Sequence, residues 1–265
     1  MQLAIKLFLA SVRDIIDEPL VALQVSGVLT LVLTFVGIHW FEQALAYQKG
    51  WLLFPGRFVW WMWALGLAGT VIPSLWMAVG WHRFVILGER PWLFLPRFRP
   101  GQTTNYGLKL LGAMIALVLM VGLASFVLGA TVGVLRTLLG FKEPSSNWTN
   151  AVLYPVFGAI LGTLIILRLS PAMVASACGE KVSLQQAWQA TKSNDWSIVL
   201  VVLPLLGISL LFDYILRLLN LTGLVLGGYQ LVSSWFLIML NIGILTTIHR
   251  HFVVAHPDAE TSPAL

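Results

Sequence analysis

Charge is scarce in this chain. Only 10% of its 265 residues are Asp, Glu, Lys or Arg, and mean hydropathy is +0.86. A soluble domain carries about 25% charged residues, and a water-facing surface needs polar cover that this composition does not supply. The bilayer is therefore the expected solvent. Cysteine is nearly missing too. Cys178 stands alone, which excludes an intrachain disulfide and any Cys-x-x-Cys zinc or redox pair. It reads as a small packed side chain.

Missing motifs exclude reactions in the same way. There is no His-Glu-x-x-His, no phosphate-cradling Walker loop and no Gly-x-Ser-x-Gly elbow. The acidic residues are few and scattered. No catalytic residue, metal site or cofactor is expected, and the chain reads as a non-enzyme. Net charge is +5 and the pI is near 9.6, but no basic block is long enough to hold nucleic acid. Contact with a membrane surface is the better account of the excess. No cleavable signal peptide is expected, because Arg13, Asp14, Asp17 and Glu18 follow the short apolar start at once.

What is abundant is apolar sequence in lengths that cross a bilayer, about 20 residues each. Six spans are predicted at 20–38, 58–81, 110–135, 148–167, 197–219 and 224–248. They make an all-α polytopic bundle of three hairpins within one integral domain, 1–255, followed by a polar disordered tail, 256–265. Arginine closes each hairpin, at Arg83, Arg168 and Arg250. With six spans, eleven of the 16 Lys and Arg residues fall on the side holding both termini, and five on the other. The positive-inside rule then places both termini in the cytoplasm, and the chain reads as a bacterial inner-membrane protein.

Two segments read as interfacial helices. Residues 1–18 place Ile5, Phe8, Leu9, Val12, Ile15 and Ile16 on one face, with Lys6, Arg13, Asp14 and Asp17 largely opposite. Residues 183–196 open with Ser183 and Gln186 at capping-box spacing. Pro73, Pro155 and Pro204 fall inside predicted spans and are expected to kink them. Three Gly-x-x-x-Gly spacings, starting at Gly129, Gly158 and Gly223, offer close helix contact.

Candidate sites follow from position. In the loop 89–109, Arg90, Arg97 and Arg99 interleave with Trp92, Phe94 and Phe98, which suits an anionic leaflet. Arg83, Arg168, Trp188 and Trp196 belong to the same predicted interface. Asp213 is the acidic residue expected within a span, where Arg217 at i+4 offers a local ion pair and a proton or substrate relay is the alternative. His82 and His249 occupy matching places at even-numbered helix ends. They read as helix caps beside an arginine, or alternatively as haem ligands.

The run Arg168-Leu-Ser-Pro-Ala-Met173, then Ser183-Leu-x-x-Ala-Trp188-x-x-Thr191-x-x-Asn194-x-Trp196, resembles a recurrent bacterial pattern. So does His82-Arg-Phe-Val-Ile-Leu-Gly-Glu89. They are similar to the six-helix membrane proteins related to the membrane domain of some glycerophosphodiester phosphodiesterases, over roughly residues 1–252. Those relatives keep their chemistry in a separate soluble domain, so the resemblance carries over no catalytic residue. It implies that Arg168 and Pro171 end a span, that Trp188 and Trp196 anchor a surface helix, and that Asn194 and Asp195 start the next span.

The expected role is envelope or lipid handling, or partnership in a membrane complex. Expected partners are membrane lipids, anionic by charge complementarity, and another membrane protein. A transporter or channel for hydrophobic or amphipathic cargo is the alternative. An accessory, haem-bearing subunit is a third reading.

Overall fold

The computed structural model describes residues 2–48, 56–139, 154–192 and 195–254. The tail at 256–265 and Asn194 lie outside them. Nine α-helices follow one another among the described residues: α1 Gln2–Asp17, α2 Pro19–Gln48, α3 Gly56–Leu87, α4 Pro100–Leu139, α5 Tyr154–Cys178, α6 Leu184–Thr191, α7 Asp195–Leu200, α8 Val202–Leu219 and α9 Gly223–His249. A π-helical turn, Arg250–Val254, continues α9. Six stretches are long and apolar enough to cross a membrane: Pro19–Gly37, Ala64–Leu87, Pro100–Thr131, Ile160–Cys178, Trp196–Leu219 and Gly223–Val254. The chain is thus an all-α polytopic bundle. Helix α5 is central, with 72% of its span buried, while the α4 span is peripheral at 6%.

Packing concentrates at one end of the bundle. The buried core joins Val21–Leu29 of α2, Met77–His82 of α3, Ile165–Ala177 of α5 and Met239–His249 of α9. Those segments are the start of α2 and the ends of α3, α5 and α9, so the helix hairpins return to a common end. Long side chains cross between them there: the Trp235 indole donates to Ser26 Oγ at 2.6 Å.

Several elements run past their predicted bounds. The fourth span was expected to end near Arg168 and Pro171, yet α5 continues to Cys178. Proline lacks the N–H that would reach the Leu167 carbonyl. Ser170 Oγ donates to that carbonyl instead, at 2.7 Å, so the ladder loses no partner and the helix goes on. Arg168 is buried inside the bundle rather than set at a boundary. Pro155 and Pro204 do not sit in helix interiors. Each sits in the first turn of its helix, where a missing N–H leaves no bond unmade. Pro204 has a second effect: its ring crowds the Leu200 carbonyl, and the fifth span breaks at Val201 into α7 and α8.

Helix α1 docks on α9 through a face turned from the predicted one. Ala4, Leu7, Ser11 and Ile15 are buried, whereas Ile5, Leu9 and Ile16 are exposed. The hydroxyls of Ser11 and Thr247 lie 2.9 Å apart, beneath Gly243. The helix therefore carries three sectors: one on the bundle, an apolar one beside it, and a polar one with Lys6, Arg13 and Asp17. A Cβ at Gly243 would lie 3.5 Å from Ser11 Cβ and O, which is ordinary contact. Gly243→Ala should leave α1 seated, while Gly243→Leu should displace it at a cost of about 1–3 kcal/mol. Limited proteolysis near Arg13 reads the difference.

Of the Gly-x-x-x-Gly spacings, the one at Gly158 and Gly162 brings α5 onto α4. Cβ positions there would meet Val121 at 3.5 Å and Leu117 at 3.1 Å. Gly223 and Gly227 face open space.

Candidate lipid-contact site

Helix α3 ends at Gly88, whose left-handed backbone (φ 67°) needs no Cβ. The chain then turns back along the helix it has just left. Pro96 lies against Gly80, and the Trp76 indole donates to the Pro96 carbonyl at 3.0 Å. Trp76 also meets Phe98 edge to face at 5.1 Å. Gly80 is seven residues before the end of α3, so at 1.5 Å per residue the loop descends about 10 Å beside the span.

Between these anchors Trp92 and Leu95 exchange backbone hydrogen bonds of 3.1 and 3.3 Å, closing a tight turn. Leu93, at its tip, has φ 57°, a conformation that costs a leucine about 1–3 kcal/mol. The turn presents three consecutive large apolar side chains outward: Trp92 at 74%, Leu93 at 65% and Phe94 at 67% exposure. Arg90 and Arg97 flank them and are exposed. Arg90 approaches Glu18 at 3.9 Å, a weak surface pairing.

The other predicted headgroup arginines are occupied inside the protein. Arg83 Nε donates to Glu89 Oε2 at 2.5 Å, and its Nη1 donates to the Ala177 carbonyl at 2.9 Å. Arg99 pairs with the second Glu89 oxygen. Burial pushes the Glu89 carboxyl up, but hydrogen bonds from Arg99 and Arg83, with their charges, outweigh it and hold the carboxyl below its ordinary value. Arg168 stacks over Trp188 at 4.4 Å and donates to the Lys192 carbonyl at 3.1 Å, fixing α6 to α5. Trp188 is thus half-buried by a protein cation, while Trp196 at the start of α7 is exposed. Predicted capping does hold at Ser183: Gln186 N donates to its hydroxyl, and the Gln186 amide oxygen accepts from Ser183 N.

His82 and His249 are both fully buried. His82 lies five residues before the end of α3, so it caps no helix. Its Nδ1 lies 2.7 Å from Thr246 Oγ1 and its Nε2 lies 3.3 Å from the Tyr106 hydroxyl. Thr246 donates to the Ile242 carbonyl, so Nδ1–H donates to Thr246 and Nε2 accepts from Tyr106. Both ring nitrogens are thus engaged within the bundle. His249 Nδ1 donates to the Pro171 carbonyl at 3.1 Å, and its Nε2 faces Glu180 at 3.5 Å. Asp213 and Arg217 are exposed on α8, and no ion pair joins them among the described residues.

Sequence spacing reached the aromatic and basic content of the hairpin but missed Glu89, Tyr106, Thr246 and Glu180. Glu89 was findable as the acid set among three arginines. Tyr106 and Thr246 carry no local signal, because their partner His82 lies 24 and 164 residues away.

One further concavity lies at membrane depth. An apolar cavity of about 770 Å³ is bounded by Leu117 and Val121 of α4, Gly158 and Gly162 of α5, Val202 of α8, and Ile244 of α9, with Asn241 its amide. The glycines create the room. Comparison with protein-family models, with curated proteins and with solved structures finds no match.

Proposed function

We propose that this integral membrane protein engages anionic lipid on the cytoplasmic leaflet of a bacterial inner membrane and serves in envelope lipid handling, without catalysing a reaction itself. The observation that carries the reading is the folded-back hairpin. Contacts of Pro96 and Phe98 with α3 hold it beside a span, and exposed Arg90 and Arg97 flank its apolar tip. Rings at headgroup depth with guanidinium groups beside them suit a negatively charged surface. The excess of Lys and Arg at this end supports a cytoplasmic orientation for it.

Mild extraction followed by lipid mass spectrometry tests this. The unaltered protein should retain anionic lipid, and replacing Trp92, Leu93 and Phe94 together by serine should lower retention several-fold. Each buried apolar side chain is worth about 1.5–3 kcal/mol, and the tip has no packing role to lose. A protein that emerges free of anionic lipid sinks the proposal.

The apolar cavity favours a second reading, a carrier for hydrophobic or amphipathic cargo. Its volume lies in the range of small-molecule sites. Flux into proteoliposomes, blocked by filling the cavity with Gly158→Leu, separates the two.

A further inference from the structure

A second concavity, of about 710 Å³, opens at the packed end of the bundle between the start of α4 and the end of α5. Polar side chains interrupt its apolar lining: Gln102, Asn105 and Lys109 from α4, and Glu180, Lys181 and Ser183 from the loop after α5. None of these was singled out as a site by the sequence.

The wall is built rather than incidental. Gly179, with φ 89°, closes α5 by letting Gly179 N reach the Ser176 carbonyl and Glu180 N the Ala175 carbonyl. Glu180 and Lys181 therefore project side by side from a fixed turn. Lys109 Nζ donates to the carbonyls of Ala172 at 2.9 Å and Val182 at 2.7 Å. An ammonium has three donors, so one remains, and Lys109 makes no ion pair among the described residues. At the opposite wall the backbone N–H groups of Gly101 and Gln102 have no intrahelical acceptor, and the positive end of a 40-residue helix points outward there.

Behind the wall is an unsatisfied buried atom. His249 is fully buried, and its Nε2 has no hydrogen-bond partner. Its Nδ1 must donate, because its partner is a carbonyl. A neutral ring would then turn the Nε2 lone pair on the Glu180 carboxylate, two acceptors facing each other at 3.5 Å. The imidazole thus lies directly behind Glu180 at the cavity wall. His82, Arg83, Lys109, Cys178 and Lys181 are the other ionisable groups around this pair.

We propose that this cavity binds a phosphate ester whose headgroup also carries a hydroxyl or amine. The phosphate faces Lys109, Lys181 and the start of α4, and the donor faces Glu180. The inference rests on the lipid reading only for the source of the ligand. The phosphate ester comes either from a membrane lipid or from a water-soluble molecule carrying the same headgroup, and the chemistry of recognition is shared.

The test uses the full chain in nanodiscs containing phosphatidylethanolamine, phosphatidylglycerol or phosphatidic acid, with lipid occupancy read by native mass spectrometry. A parallel titration uses soluble glycerophosphoethanolamine. Lys181→Glu should lower occupancy by all three lipids roughly ten-fold, the worth of one charge-assisted contact. Glu180→Gln should erase the preference for the two donor-bearing headgroups over phosphatidic acid. Both residues are exposed, so neither substitution threatens the fold. Unchanged occupancy and ranking in both variants overturn the cavity site; if the hairpin variant still loses lipid, the lipid reading survives alone. Soluble ester binding that depends on Lys181, with no lipid retained, upholds the cavity and removes the lipid source. Absence of binding in both arms overturns both.

Discussion

Replacing Gly80 by alanine should unseat the hairpin. The added Cβ would lie 2.5 Å from Pro96 Cβ and 2.8 Å from Pro96 Cγ. A proline ring cannot rotate away, so backbone must move. The movement breaks the Trp76 bond to the Pro96 carbonyl and the edge contact of Trp76 with Phe98. Overpacking of this kind costs about 1–3 kcal/mol, and the lost hydrogen bond adds about 1 kcal/mol. Alanine also gains about 1 kcal/mol of helix propensity over glycine, which offsets only part of the loss. Gly27→Ala on α2 is the control, because its Cβ would meet nothing within 4 Å and only the propensity term applies. In detergent, Gly80→Ala should melt earlier than the unaltered protein and Gly27→Ala no earlier. Retained anionic lipid should fall with Gly80→Ala alone. Equal melting and equal lipid in the two variants would mean that the hairpin is not seated by this contact.

The contrast between these two glycines shows where sequence stops being informative. Helix count and pairing were legible because a span is a local property: twenty apolar residues need no partner to be recognised. The Ser183 cap was legible for the same reason, as both of its partners lie within four residues. Helix ends were not legible. Arg168 looked like a boundary because a charge is costly within a membrane, yet Trp188 and the Lys192 carbonyl take it up inside the bundle. Pro171 looked like a stop because the Ser170 hydroxyl that replaces its N–H is invisible to pattern reading. The face of α1 was misjudged because hydrophobicity cannot separate a surface turned to lipid from one turned to protein. The small residues Ala4 and Ser11 are what fit against α9, and they carry little apolar signal. The site was half legible. Composition marked the basic aromatic loop, but only the fold sorts its arginines into those bound to Glu89 and those left outward.

Loss of Glu89 should also cost this fold heavily. Its two oxygens hold Arg83 and Arg99, and Arg83 also caps α5 at the Ala177 carbonyl. One carboxylate therefore ties together the end of α3, the end of the hairpin and the end of α5. Glu89→Ala leaves two guanidinium groups facing each other. Removing one partner from a buried pair costs about 3–5 kcal/mol. Side-chain exposure is 13% for Arg83 and 35% for Arg99, so solvent screens part of this, and about 2–3 kcal/mol is expected. If the penalty comes from stranded charge, Arg99→Gln combined with Glu89→Gln should recover part of it, a coupling that a double-mutant cycle measures. Additive losses would instead assign the cost to packing. The same carboxylate sets a pH dependence. Its folded value is depressed, so its contribution is complete above the ordinary glutamate value of about 4.3. It is lost as pH falls through the lower, folded value, because the unfolded chain takes up the proton first. Melting temperature should therefore drop between neutral pH and pH values below about 4, and this drop should be smaller in Glu89→Gln, which has no proton to gain at that position.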